Sequence, residues 1–118
     1  MRAIHSEQVQ THGGTSGLRN PDALESSLAR PRLFLHYNPE ADIPQLAAVL
    51  GHGLCTSHPF ADGNKRVTLM AIYVFLGLNS WRLQASEQDA VQTILALANG
   101  ELDEDRLAQW LRATSIRT

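Results

Sequence analysis

The stretch "HPFADGNKR", His58–Arg66, runs directly into "VTLMAIYVFLGL", Val67–Leu78. This junction decides the fold. The apolar run is twelve residues long, whereas a membrane span needs about 20. Its apolar residues occupy nearly every face of a helix, which predicts a buried helix from about Asn64 to Leu78 at the centre of a bundle. Pro59 discourages continuation of any helix that arrives at His58.

Working outward, the pattern is helical almost throughout. "QLAAVLGHGLCTSH" reads as the helix that leads into His58. Asn20 can cap a helix with Pro21 in its first turn, and "DALESSLAR" carries it to Pro31, with Leu24 and Leu28 on one face. The segment from Pro31 to Pro44, interrupted by Pro39, reads as a long connection with a short apolar run at Leu33–Leu35. "SWRLQ" suggests a brief extended piece. Ser86 and Asp89 resemble a capping box for the helix ending at Gly100, and Asp103 can cap a last helix with Leu107, Trp110 and Leu111 as its stripe. "SEQVQTHGG" reads as the tail of a helix stopped by Gly13 and Gly14. The expectation is one domain over residues 1–118, an all-α compact bundle of about five to six helices.

Composition narrows the partners. The chain is 43% hydrophobic and 19% charged, in the range of folded domains. A net charge of −2 and a pI near 6.2 give no basic stripe for nucleic acid. Cys55 is the single cysteine, so no internal disulfide and no cysteine zinc cluster can form, and a reducing cytoplasm is the simplest setting. The N-terminal "MRAIHSEQVQ" lacks the apolar core of a signal peptide.

The nine-residue stretch is a parts list for phosphate chemistry. The first N–H groups of a helix have no partner within it and carry the positive end of the dipole. Gly63 has no side chain to block a ligand there, and Lys65 and Arg66 add charge. Asp62 beside a polyphosphate is suited to Mg²⁺, which takes one or two protein carboxylates and keeps several waters. His58, four residues before Asp62, can accept a proton from a hydroxyl near neutral pH. Together these residues suit phosphoryl or nucleotidyl transfer to a hydroxyl. A structural reading stands beside it: Asp62 as a helix N-cap, Gly63-Asn64 as a turn, Lys65 and Arg66 as solvated surface, and His58 as a cap on the preceding helix.

The string as a whole resembles the signature of the Fic/Doc superfamily, H-P-F-x-[DE]-G-N-[GK]-R, at all eight specified positions. "HGGTSGLRNPDALESSLARP" is similar to the N-terminal signature of the death-on-curing (Doc) branch, and "NGELDEDRLAQWLR" to its C-terminal helix. One position sorts the branches. Fic enzymes proper carry glycine where this chain has Lys65, and a further arginine where it has Leu69. Their loop holds the α- and β-phosphates of ATP, and AMP passes to a protein hydroxyl. In the Doc branch the lysine fills part of that anion hole, and the nucleotide lies reversed with its γ-phosphate toward the acceptor.

The resemblance therefore implies a toxin of a toxin–antitoxin pair. It implies Mg²⁺-dependent phosphoryl transfer from ATP to a threonine of elongation factor Tu, arresting translation in the bacterial cytoplasm. It assigns His58 to the acceptor hydroxyl, Asp62 to Mg²⁺, and Gly63, Asn64, Lys65 and Arg66 to phosphates. Phe60 would anchor the loop and Pro59 shape its turn. The partners implied are a Phd-type antitoxin and elongation factor Tu, with no direct nucleic acid and no membrane. Leu33–Tyr37 falls where Fic folds carry a flap that aligns the target chain by strand addition. His52 could support the loop from behind or be an ordinary core histidine. Arg19 is assigned no role.

Two departures qualify the likeness. Doc-type chains begin with a short strand and most of a helix before the "HGG" region, here abbreviated to about twelve residues. The inhibitory pattern [ST]-x-x-x-E-[GN] of some Fic proteins does not occur. The competing functions are AMP or other nucleotidyl transfer to a protein hydroxyl, which Lys65 and Leu69 disfavour, and a catalytically silent Fic-fold module that only binds a partner.

Overall fold

The computed structural model describes residues 17–118, so the expected helix tail before Gly13 lies outside the described residues. Among these residues, five helices and two short strands follow in order: α1 Pro21–Tyr37, α2 Ile43–Ser57, α3 Asn64–Leu78, β1 Trp81–Leu83, α4 Glu87–Ala98, α5 Glu104–Thr114 and β2 Ser115–Arg117. The protein is an all-α bundle with one small antiparallel ribbon.

Side-chain caps explain most helix starts. Asn20, Asp42, Ser86 and Asp103 each accept a hydrogen bond from the backbone N–H three residues ahead. Each satisfies one of the orphan donors of its first turn. Pro21 and Pro44 add a preset φ where no N–H is needed.

Three expectations are corrected. The first concerns Pro31, which does not end α1. The helix runs through it to Tyr37, and Asn38 closes it by donating its N–H and its side-chain amide to the Phe34 carbonyl at 2.8 and 3.0 Å. Pro31 is buried and forfeits one helical bond, which burial and the flanking turns outweigh. Leu33–Tyr37 is therefore the last part of a helix and not an extended flap, and its Leu33, Leu35 and Tyr37 are exposed. The second concerns the centre of the bundle, which is α2 and not α3. Helices α1, α3, α4 and α5 all contact α2. Ten of its fifteen residues are buried. Its small Ala47, Ala48 and Gly51 let neighbours approach closely, and a Cβ on Gly51 would lie 2.7 Å from Ile72 Cδ1. Helix α3 instead leaves Tyr73, Val74 and Leu78 on the surface. The third is β2, which pattern did not indicate. It pairs with β1 in the register Trp81↔Arg117 and Leu83↔Ser115.

The interior divides in two. The larger cluster joins α2, α3, α4 and α5 through Ala47, Ile72, Leu76, Ile94, Leu97, Leu107 and Leu111, among others. A smaller one gathers Leu24, Leu50, Leu54, Phe60, Val67 and Ala71. The second is the floor beneath the sequence His58–Arg66. On the far side, Arg30 of α1 pairs with Glu104 of α5 at 2.9 Å and donates to the Val49 carbonyl at 3.2 Å.

Candidate active site

The C-terminus of α2 and the N-terminus of α3 meet at one end of the bundle, joined by the loop from His58 to Gly63. Phe60 is fully buried in the smaller core. Burying a phenylalanine side chain contributes roughly 1.5–3 kcal/mol, so the loop is fastened from below. The Asn64 side chain fastens it from the side. Its Oδ1 accepts the Phe60 N–H at 3.1 Å and its Nδ2 donates to the Phe60 carbonyl at 2.9 Å. Both functional groups of this amide are thus committed to the loop, and the group that Asn64 can still offer a phosphate is its backbone N–H.

Gly63, not Asp62, is the N-cap of α3, at φ 75° and ψ 10°. A side chain would strain this left-handed conformation. A glycine cap has no side chain to satisfy the N–H groups that follow, so the start of α3 keeps the character of an anion site. Thr68, fully buried one turn in, donates to the Asn64 carbonyl at 2.7 Å and steadies that turn. Lys65 and Arg66 are exposed. Lys65 lies near enough to Cys55 to oppose, in part, the upward push that burial gives the Cys55 thiol pKa. This places a cation over the junction of the two helices.

His58 is the C-cap of α2 and is exposed, with φ 50° and ψ 59° in the left-handed region. Asp62 is also exposed. His58, Asp62, Gly63, Lys65 and Arg66 therefore share one solvent-facing end of the bundle. Asn64 sits among them half-buried, as a brace. A base, a carboxylate and a cationic helix N-terminus in one place suit transfer of a phosphorus group to a hydroxyl.

The sequence reading missed what holds the outer side of the loop. Residues 17–20 run alongside it: Ala61 N–H donates to the Gly17 carbonyl at 2.6 Å, and the N–H groups of Arg19 and Asn20 both donate to the Pro59 carbonyl at 2.9 Å. Leu18 and Phe60 form an antiparallel bridge. The signal available was only that "GLRN" lies within the block similar to the Doc N-terminal signature. His52, by contrast, stands away from the loop. Its Nδ1 lies 3.7 Å from Glu104 of α5 and makes no hydrogen bond.

Comparison with known proteins points to one family. A sequence profile of the Fic/DOC family matches residues 1–76. The chain is 28% identical over 110 residues to "Protein kinase doc" of Escherichia phage P1, covering 93% of this chain and 86% of that one. It is 32% identical over 101 residues to "Toxin Doc" of Mycolicibacterium smegmatis, covering 81% of this chain and 76% of the other.

Proposed function

The chain belongs to the Fic/DOC family, and from that premise we propose that it is a Doc-like toxin that transfers the γ-phosphoryl group of ATP to a protein hydroxyl. The acceptor in this reading is a threonine of elongation factor Tu, and the outcome is arrest of translation in the bacterial cytoplasm. A Phd-type antitoxin would hold the activity in check. Two relatives carry the names of a protein kinase and a toxin.

The observation that carries the proposal is the pairing across the loop. His58 caps α2 on one side, and Lys65 stands in the first turn of glycine-capped α3 on the other. His58 takes the proton of the acceptor hydroxyl. The hydroxyl oxygen bonds to the γ-phosphorus, and the bond from that phosphorus to the β–γ bridging oxygen breaks, leaving ADP. The N–H groups of Asn64 and Lys65 and the side chains of Lys65 and Arg66 bind phosphate oxygens and orient the γ-group toward His58. The Lys65 ammonium fills volume that a phosphate would otherwise take, which favours one nucleotide direction over the other. The residues present fit Mg²⁺, because the exposed Asp62 carboxylate adjoins the anion site and this ion needs few protein ligands. Bound by Asp62 and phosphate oxygens, Mg²⁺ would neutralise charge on the polyphosphate.

The test uses purified protein, Mg²⁺, elongation factor Tu and ATP labelled at the α- or the γ-phosphate. Transfer of γ-label alone supports the kinase reading. Transfer of α-label would replace it with AMP transfer, and absence of both would favour a binding module or another target.

A further inference from the structure

His58 is held in a conformation that its own sequence opposes. A left-handed backbone is unfavourable for a residue with a Cβ, and the ring of Pro59 crowds the residue before it, favouring extended backbone there. Yet His58 has φ 50° and ψ 59°. Such an outlier persists only where its surroundings over-determine it. This backbone sets the side from which the imidazole leaves the loop, because φ and ψ fix the Cα–Cβ vector.

The surroundings come from residues 17–20. The Pro59 carbonyl is held by two N–H groups, those of Arg19 and Asn20. The peptide carbonyl of His58 itself receives the Arg19 Nη2 at 3.4 Å. That carbonyl lies at the C-terminal end of α2, where carbonyls lack helical partners and a cation is favoured. Arg19 thus touches the loop twice, by backbone at Pro59 and by guanidinium at His58. A rotation of the 58–59 peptide that relaxed His58 to an extended form would turn its carbonyl away from the Arg19 guanidinium, while the bonds to the Pro59 carbonyl, in the next peptide, hold the chain beyond it in place.

We propose that Arg19 is a positioning residue for His58: by holding the His58 carbonyl it keeps the imidazole turned toward the acceptor. This inference rests on the catalytic reading of His58 given above. Arg19 is not assigned contact with the nucleotide or with the reacting atoms.

The test compares wild type, Arg19→Ala, Arg19→Lys and Asn20→Ala by two readouts. The first is the position and width of the His58 ring resonances in ¹H–¹³C NMR spectra of the full chain, with His36 and His52 as internal references. The second is steady-state phosphoryl transfer. Arg19→Ala is expected to move or broaden the His58 resonances alone. It should lower kcat on the order of tenfold with the KM for ATP within twofold of wild type, as misorientation of one group does. Arg19→Lys, which keeps a charge near the carbonyl, should recover part of both. Asn20→Ala removes the α1 cap and should lower stability while leaving the His58 resonances in place. Unchanged His58 resonances in Arg19→Ala, or equal displacement of His58 in Asn20→Ala, would overturn the inference. If wild type transfers no phosphate, the kinase reading fails, and the resonances still decide whether Arg19 orients His58.

Discussion

The Asn64 amide grips the Phe60 backbone from both sides, taking its N–H at 3.1 Å and giving to its carbonyl at 2.9 Å. One side chain thereby ties the start of α3 to the loop residue that anchors the smaller core. Replacing Asn64 by Ala removes both of these hydrogen bonds at once in a buried place. The expected cost is about 1–3 kcal/mol, read as a lower urea midpoint at unchanged slope. Phosphoryl transfer should fall as well. Asn64→Asp, which retains only the acceptor, should fall between the two.

Phe60 should matter for shape and not for chemistry. It is wholly buried against Leu24, Leu54 and Val67. Phe60→Ala is expected to cost about 3–5 kcal/mol, seen as a large drop in Tm. Phe60→Leu should recover most of the stability, and in the same variant activity should return with it.

His58 sets function against stability. His58→Ala should lower transfer by about 10²–10⁴-fold with ATP binding intact by calorimetry. His58→Gly should lose activity equally, yet relieve the left-handed strain and stabilise the fold by about 1 kcal/mol. A glycine variant less stable than the alanine variant in thermal melts would contradict this account of the loop.

The start of α2 should respond to acid. Asp42 caps it and also receives a two-point grip from Arg112 at 2.7 and 3.0 Å. The Arg112 hydrogen bonds hold the Asp42 pKa below its ordinary value, against a smaller opposing effect of burial, and Asp42 in turn raises that of Arg112. Because the folded value is depressed, the pair stabilises the protein fully above the ordinary carboxylate pKa of about 3.9. The contribution fades as pH falls through the folded pKa. Both groups are substantially exposed, so it should amount to less than about 1 kcal/mol. Arg112→Ala should be less stable than wild type at pH 7, with the gap closing below about pH 4 in urea titrations. Asp42→Asn, which keeps a cap, should show the same closing gap.

Much of this was legible in the chain because the decisive signals were local. Asn20, Ser86 and Asp103 mark helix starts by a chemistry that acts over three residues, while Asp42, which caps α2 in the same way, is hidden inside a proline-rich segment. The motif likewise lies in one unbroken stretch. What was illegible depended on distant partners. Pro31 is tolerated because it is buried where α1 meets the core, which no local propensity encodes. The centre of the bundle went to α2, which is the more hydrophobic helix over its length and whose small residues admit neighbours, whereas the unbroken apolar run Val67–Leu78 pointed to α3. Strand β2 exists only by virtue of β1, over thirty residues earlier. The clamp from residues 17–20 uses mainly backbone groups, which leave no trace in side-chain pattern.

The position of α5 against α2 governs when the molecule can exist at all. Helix α2 is central, yet one of its principal covers, with Leu107, Ala108 and Leu111, is made some fifty residues later in the chain. A nascent chain that has not yet emitted Glu104 lacks that cover, so Ala47 and Ala48 stay wet and the floor of the loop has nothing rigid behind it. Assembly is therefore delayed until this part of the chain is clear of the ribosome. Under the proposed function, the phosphate loop gains its rigid backing only after the last described helix has joined the bundle.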